Sequence, residues 1–322
     1  MSDFPLYNWV PYKLVKNYGQ LQCRWLNTCA QPFTEPFFEE TILKCRGIDS
    51  HAAVSSVSDL AMISEWGSGI NTVDPTAFIF HISRCGSTLV SQLLATADKN
   101  IMLSEVPFFD EILRLPYKDD LFDQSAVPEL FTDTLKYYGQ KRTGNERHLF
   151  IKTDSWHFFF YGQLRSLYPA VPFIIMYRSP DEVFRSHRKQ PGMQAVSGLI
   201  EPQLFGFETE DIASMSPDVY LANVLESYFA KCLEIVETDD QILLLNYNEG
   251  SMRMIEKIAA FTKIIFSKNE LINMEERSLY HSKKPGEVFF EKSTNPIPAC
   301  LDNAMDLYDV LEEKRKAIFK QQ

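Results

Sequence analysis

The stretch that most constrains this chain runs from Ala77 to Ala97, "AFIFHISRCGSTLVSQLLATA". Its first six residues, apolar but for His81, have the length and composition of a buried strand. Past Thr88, the positions Leu89, Val90, Leu93, Leu94 and Ala97 fall on one face of a helix over 87–97. A strand that turns straight into a helix leaves unpaired N–H groups at the turn, where the helix dipole favours an anion. Gly86 lets the backbone approach a ligand closely, Ser87 and Thr88 add hydroxyls, and Arg84 adds a permanent fork of donors. A triphosphate-binding loop, however, reads G-x-x-x-x-G-K-[ST]. Here Ser87 stands in the lysine position and no opening glycine precedes Ser83, which disfavours ATP or GTP hydrolysis. A plain strand–turn–helix with a serine cap accounts for the same residues without a ligand.

The alternation then repeats. Apolar strands are expected at "HLFIKT" (148–153), "VPFIIMYR" (171–178) and "QILLLNY" (241–247). Between and after them, helices are expected over 126–140, 157–168, 180–190, 217–237 and 248–262. Strands alternating with helices imply βαβ units and a parallel sheet. Strand-end residues then gather on the carboxyl edge of the sheet, where such folds bind ligands. Residues 1–74 read differently, as an aromatic- and cysteine-rich extension of helix and irregular chain packed on the core. Within it, "PFFEETILKCRG" closes at Gly47 and "SVSDLAMISEWGSG" at Gly67 and Gly69.

Charge and cysteine usage narrow the partners. A net charge of −11 over 322 residues argues against nucleic-acid binding, which relies on a basic surface, yet leaves room for one basic pocket. No run approaches the ~20 apolar residues of a membrane span. The N-terminus lacks a basic-then-apolar leader. A soluble, cytoplasmic protein without membrane or nucleic-acid partners is expected. The six cysteines form no C-x-x-C pair and are too sparse for a disulfide scaffold, and nothing in their spacing calls for zinc.

A second stretch, "IIMYRSPDEVFRSHRK" over 174–189, sharpens the reading. Ser179, Pro180 and Glu182 make a capping box with proline at the first helical position. Arg178 is left over, an arginine at a strand end beside a helix N-terminus, placed for an anion. Together the two stretches resemble the sulfotransferase family, whose members use 3′-phosphoadenosine 5′-phosphosulfate (PAPS) as sulfuryl donor. Arg84-Cys85-Gly86-Ser87-Thr88 matches that family's 5′-phosphosulfate loop, with Cys85 replacing the usual serine. Arg178, with Ser186 eight residues on, matches its 3′-phosphate motif.

The resemblance covers residues 75–290 and implies a P-loop-type three-layer α/β/α fold with a central parallel sheet, making 75–322 a PAPS-binding domain. It implies roles for further residues. Lys152 in "FIKTD" falls on a catalytic lysine, and Asp154 stands where soluble members have a histidine. Glu105, 21 residues after Arg84, falls on a glutamate base. Tyr247 is placed by the adenine, and Lys283 and Lys284 in a late loop over the nucleotide. The reaction this implies is in-line sulfuryl transfer from PAPS to a hydroxyl or amine of a small molecule. Adenosine 3′,5′-bisphosphate (PAP) is the product, and no metal takes part.

Glu105 is the first choice of base, Asp154 the second and His157 the third. The bland alternatives are a capping carboxylate for Glu105, a helix N-cap for Asp154 and a packed ring for His157. His81 is expected to be packed rather than catalytic. Cys85, at a helix N-terminus beside arginine, is expected to have a lowered pKa. The acidic balance and the aromatics point to a cationic natural product as acceptor, such as a guanidinium alkaloid. Its walls are expected from Tyr7, Trp9, Trp25 and the segment 206–218. Two other readings fit some of the residues, a P-loop small-molecule kinase and a nucleotide-binding module without turnover.

Overall fold

A computed structural model of the chain describes residues 6–48, 56–280 and 297–319. Ahead of residue 75 the chain forms an antiparallel sheet. Its strands are β1 (Trp9–Asn17), β2 (Gln20–Asn27) and β3 (Ser56–Asp59), paired in that order. Helix α1 (Phe38–Arg46) precedes β3 and α2 (Ala61–Gly67) follows it. Helix α1 agrees with the sequence reading, Gly47 forming its C-cap, whereas α2 takes only the later part of the helix expected over "SVSDLAMISEWGSG", whose first four residues are β3. The strands correct it, because helix and irregular chain were expected. The β1–β2 turn is made by Tyr18 and Gly19, both at positive φ (48° and 83°), as a tight two-residue hairpin demands. A tyrosine in the left-handed region is a poor turn signal, and Pro11 and the charges of β1 mask its alternation.

From Pro75 onward the elements are β4 (Pro75–His81), α3 (Ser87–Leu94), β5 (Asn100–Ser104), α4 (Pro107–Lys118) and α5 (Val127–Tyr138). Next come β6 (His148–Lys152), α6 (Tyr161–Leu167), β7 (Phe173–Tyr177), α7 (Pro180–Lys189) and α8 (Thr209–Ala213). The chain then runs through α9 (Pro217–Thr238), β8 (Ile242–Asn246), α10 (Ser251–Thr262), α11 (Lys268–Ser278) and α12 (Asp302–Phe319). Strands β4 to β8 form one sheet in the order β5-β6-β4-β7-β8, and every neighbouring pair is parallel. With helices on its faces this is the three-layer α/β/α, P-loop-type architecture.

Edge strand β5 was not foreseen. Its five residues, "NIMLS", hold only three apolar side chains, too short a run to stand out from the helix that follows. Pairing supplies what the sequence lacks. Ser104 lies opposite Lys152, and the amide of Glu105 extends the ladder to the Lys152 carbonyl at 2.8 Å. Since Ile79 also pairs with Lys152 and His81 with Met176, the ends of four strands come level on one edge of the sheet.

The N-terminal sheet is fastened to α4 and α5. The Tyr138 hydroxyl donates to the Pro11 carbonyl, and the Leu14 amide to the Glu111 carboxylate. Trp25 packs between Trp66 and Tyr137, with ring centroids 5.7 and 5.0 Å away. The seam tightens at Gly139, whose carbonyl accepts from the Val73 amide at 2.9 Å. A Cβ there would lie 2.2 Å from Thr72 Oγ1 and 2.9 Å from the Val73 carbonyl. Gly139→Ala is therefore expected to destabilise the protein by about 1–3 kcal/mol, the usual cost of overpacking, measured by urea denaturation.

Candidate functional site

The loop after β4 is built from strained backbone. Ser83 and Arg84 both have positive φ (67° and 52°), and Gly86 follows at 80°. The amides of Leu89 and Val90 close the first turn of α3 onto the Gly86 carbonyl. The amides just before them have no acceptor within the helix and can meet an anion. A Cβ on Gly86 would lie 2.5 Å from the Tyr247 ring, so glycine is needed here for closeness as well as for φ. Arg84 reaches across the mouth, its guanidinium donating to the Gln190 carbonyl at 2.5 Å.

Cys85 turns the other way. It is fully buried and donates to the Met176 carbonyl at 3.3 Å. Burial pushes its thiol up to about 11, outweighing hydrogen bonds from Ser87. This overturns the expectation of a lowered pKa. The dipole argument requires a sulfur facing the anion site, and here the sulfur faces the sheet.

Arg178 lies one residue past β7, almost wholly buried. Its guanidinium donates to Glu182 at 2.8 Å and stands over the Tyr247 ring, 4.4 Å from its centroid. The capping box expected of Ser179 and Glu182 does not form. Ser179 donates instead to Asp181 at 2.6 Å, and Glu182 is claimed by the stronger charge-assisted bond to Arg178. Two turns along α7, Ser186 lines the same cleft as Arg178 and Tyr247. Lys283 and Lys284 lie outside the described residues.

Between these two junctions sits a buried ion pair. Lys152, at the end of β6, has a side chain 0% exposed, and its ammonium contacts the Glu105 carboxylate. Glu105 keeps 21% of its side chain open and lines the cleft, so the carboxylate is the member of the pair that a ligand can reach. Burial alone would raise the Glu105 pKa. The Lys152 charge and a hydrogen bond from His81 outweigh it and hold the carboxyl down at about 2.

Asp154 also lines the cleft, with the opposite tendency. Burial, then the negative charges of Glu105 and Asp110, push its carboxyl well above the ordinary range. Locally it is an N-cap, exchanging hydrogen bonds with His157, whose Nδ1 accepts from the Asp154 amide at 3.3 Å. His157 lies beneath the cleft, its Nε2 3.1 Å from Asp110. With Nδ1 accepting from an amide, Nε2 is the nitrogen that donates to Asp110, and His157 is not among the described residues lining the cleft.

Asp110 was missed by the sequence reading, since nothing sets it apart within the helix pattern of α4. It also accepts from Trp156 at 2.5 Å and from Arg114 at 2.8 Å, and Arg114 in turn forks onto Glu201. Candidate ligand atoms of Asp110, Asp154 and His157 lie within 4.8 Å of one another. The carboxylate of Asp110 and both ring nitrogens of His157 are already engaged in these hydrogen bonds, which brace the floor of the cleft.

The cleft has a volume of about 930 Å³. It brings together Arg84, Gly86, Ser87, Thr88, Glu105, Asp154, Arg178, Ser186 and Tyr247 from the sequence reading. Cys85, Lys152 and His157 lie behind its walls. Phe37, His81, Trp156, Gln190 and residues 192–194 line it as well. Tyr7, Trp9, Trp25 and residues 206–218 are not among its described lining residues. Trp25 is instead packed in the N-terminal sheet, and the Tyr7 hydroxyl donates to the Lys141 carbonyl. Trp9 and Trp25 were misplaced because the strands that carry them were not legible.

No protein-family model matches the sequence, and no curated protein matches it. Among the solved structures it resembles are sulfotransferases. Sulfotransferase STF9 from Mycobacterium avium is 13% identical over 81% of this chain and 80% of that one, with a TM-score of 0.49. The sulfotransferase domain of the Synechococcus PCC 7002 olefin synthase is 15% identical over 76% and 96%, with a TM-score of 0.43. Mouse sulfotransferase SULT7A1, solved with PAP, is 11% identical over 96% and 92%, with a TM-score of 0.34. These are distant likenesses, and what the site can do follows from its own residues.

Two outcomes are expected. Iodoacetamide on the native protein should label exposed Cys300 and leave Cys85 unmodified until the protein unfolds, read by peptide mass spectrometry; rapid native labelling of Cys85 would contradict its burial. Asp154, with its folded pKa raised, stabilises the fold fully below the ordinary aspartate range. That contribution is lost as pH rises toward its folded value. Asp154→Asn should therefore flatten the decline in stability that begins as pH rises above the ordinary aspartate range, as followed by urea denaturation at a series of pH values.

Proposed function

We propose that the chain is a sulfotransferase that moves a sulfuryl group from PAPS to a hydroxyl or amine of a small-molecule acceptor. The observation that carries this reading is the convergence of two strand-to-helix junctions on one cleft. Tyr247 joins them, its ring abutting the Gly86 backbone on one side and the Arg178 guanidinium on the other.

The residues present fit the donor. The absence of a side chain at Gly86 lets the Tyr247 ring close on the loop, and the α3 N-terminus beside it offers amides and the hydroxyls of Ser87 and Thr88. Arg178 and Ser186 suit the 3′-phosphate, and the Tyr247 ring suits the adenine. When bound, PAPS supplies the sulfuryl group and departs as PAP. Arg84 and the loop amides stabilise negative charge at the α3 N-terminus. Lys152 acts from beneath, keeping Glu105 ionised and fixed in place.

Glu105 is the base. The acceptor's O–H or N–H proton passes to its carboxylate as the acceptor atom bonds to sulfur, in line with the S–O bond that breaks. A carboxylate this weakly basic takes the proton late, once the attacking atom has grown acidic. The acceptor is proposed to be cationic, such as a guanidinium compound. Glu105 and Asp154 offer carboxyl groups, and Phe37 and Trp156 offer ring faces along the same cleft.

The test is calorimetric titration with PAP. Wild type is expected to bind at micromolar concentration. Arg178→Ala is expected to bind about 10- to 100-fold more weakly, the loss of one hydrogen-bonded charge. Absence of PAP binding to the folded wild type would overturn the proposal.

A further inference from the structure

His81 ends β4, the strand that feeds the phosphate loop, and is only 4% exposed. Both ring nitrogens are committed, in opposite senses. Nδ1 accepts from the Ser83 amide at 3.1 Å. Nε2 faces the Thr153 carbonyl at 2.9 Å and Glu105 Oε1 at 3.4 Å, oxygens that can only accept. A nitrogen that accepts from an N–H carries no proton, and one that faces two acceptors must carry one. The ring is therefore the neutral Nε2–H tautomer.

Each nitrogen serves a different part of the site. On the Nδ1 side, Ser83 and Arg84 are held in left-handed backbone, which is unfavourable for residues with a Cβ and needs a compensating contact. The Ser83 bond to the imidazole is such a contact. On the Nε2 side, Glu105 is itself left-handed, at φ 53°, and its carboxylate meets two donors, Lys152 from β6 and His81 from β4. Lys152 is a flexible point charge, whereas the imidazole is a rigid plane anchored at its far side.

We propose that His81 is a positioning residue that ties the phosphate loop and the Glu105 carboxylate into one register, the loop through Nδ1 and the carboxylate through Nε2. It borders the cleft, but both of its ring nitrogens are spent on protein partners. Its functional weight rests on the proposed sulfuryl transfer, because it sets the distance between the group that seats the donor and the group that takes the proton.

Asparagine and glutamine separate the two bonds. An Asn oxygen reaches the place of Nδ1 and can accept from Ser83, while a Gln amide reaches the place of Nε2 and can donate to Thr153 and Glu105. Amide exchange over Ser83, read by peptide mass spectrometry without any donor, should match wild type in His81→Asn. It should be at least tenfold faster in His81→Gln. Adding Glu105→Gln should lower the urea midpoint of the His81→Gln protein as it does that of wild type, and lower it less in His81→Asn. In wild type labelled with ¹⁵N-histidine, His81 should show a protonated Nε2 and a bare Nδ1. Equal exchange in the two variants, equal effects of Glu105→Gln, or an Nδ1–H tautomer would overturn the proposal. None of these readouts uses PAP. Failure of wild type to bind PAP therefore counts against the sulfotransferase reading, and the exchange and tautomer results still decide the tether.

Discussion

Strand β4 runs between two parallel neighbours, and the rest of the site depends on that placement. Its side chains Ala77 to Phe80 are fully buried, so it is fixed in three directions and can only end by turning out of the sheet. Parallel pairing brings the ends of β5, β6 and β7 to the same edge. The residues next in sequence, Glu105, Thr153 and Arg178, are thereby delivered together although they lie far apart in the chain. A left-handed residue at the end of β5 and two after β4 then redirect the chain within the width of a single turn.

Placing a lysine at one of those ends creates a demand. An ammonium group cut off from water is unfavourable unless a partner neutralises it. Lys152 meets this demand with Glu105, which in turn fixes the carboxylate that faces the cleft. Close by, burial and the negative charges of Glu105 and Asp110 favour the neutral form of Asp154. Two acids within one cleft thus lean opposite ways, because Glu105 sits over a cation whereas burial dominates at Asp154.

The parallel sheet, the loop and the Arg178–Ser186 spacing were legible in the sequence because each depends on neighbours along the chain. "AFIFHI" and "VPFIIMYR" announce themselves by composition, and Gly86 by its position between strand and helix. What escaped depends on partners distant in sequence. Strand β5 is a strand only because β6 lies beside it, and β1 and β2 are hidden by a Tyr-Gly turn with no common signature. The orientation of Cys85 could not be read either, since a five-residue loop can point a side chain to the anion or to the sheet. His81 looked like packing, and it is packed. Its chemistry lies in which atoms it packs against.

The opposite tendencies of Glu105, held ionised, and Asp154, whose neutral form is favoured, also give the cleft an adjustable charge. A singly charged cation can be met by Glu105 alone. One that brings more positive charge lowers the cost of ionising Asp154, and the proton is released to solvent as it binds. The affinity of the cleft for such ligands would then rise with pH, and the heat of binding would follow the ionisation enthalpy of the buffer. A floor held rigid by Asp110, Trp156, His157 and Arg114 can in this way accommodate ligands of different charge without moving.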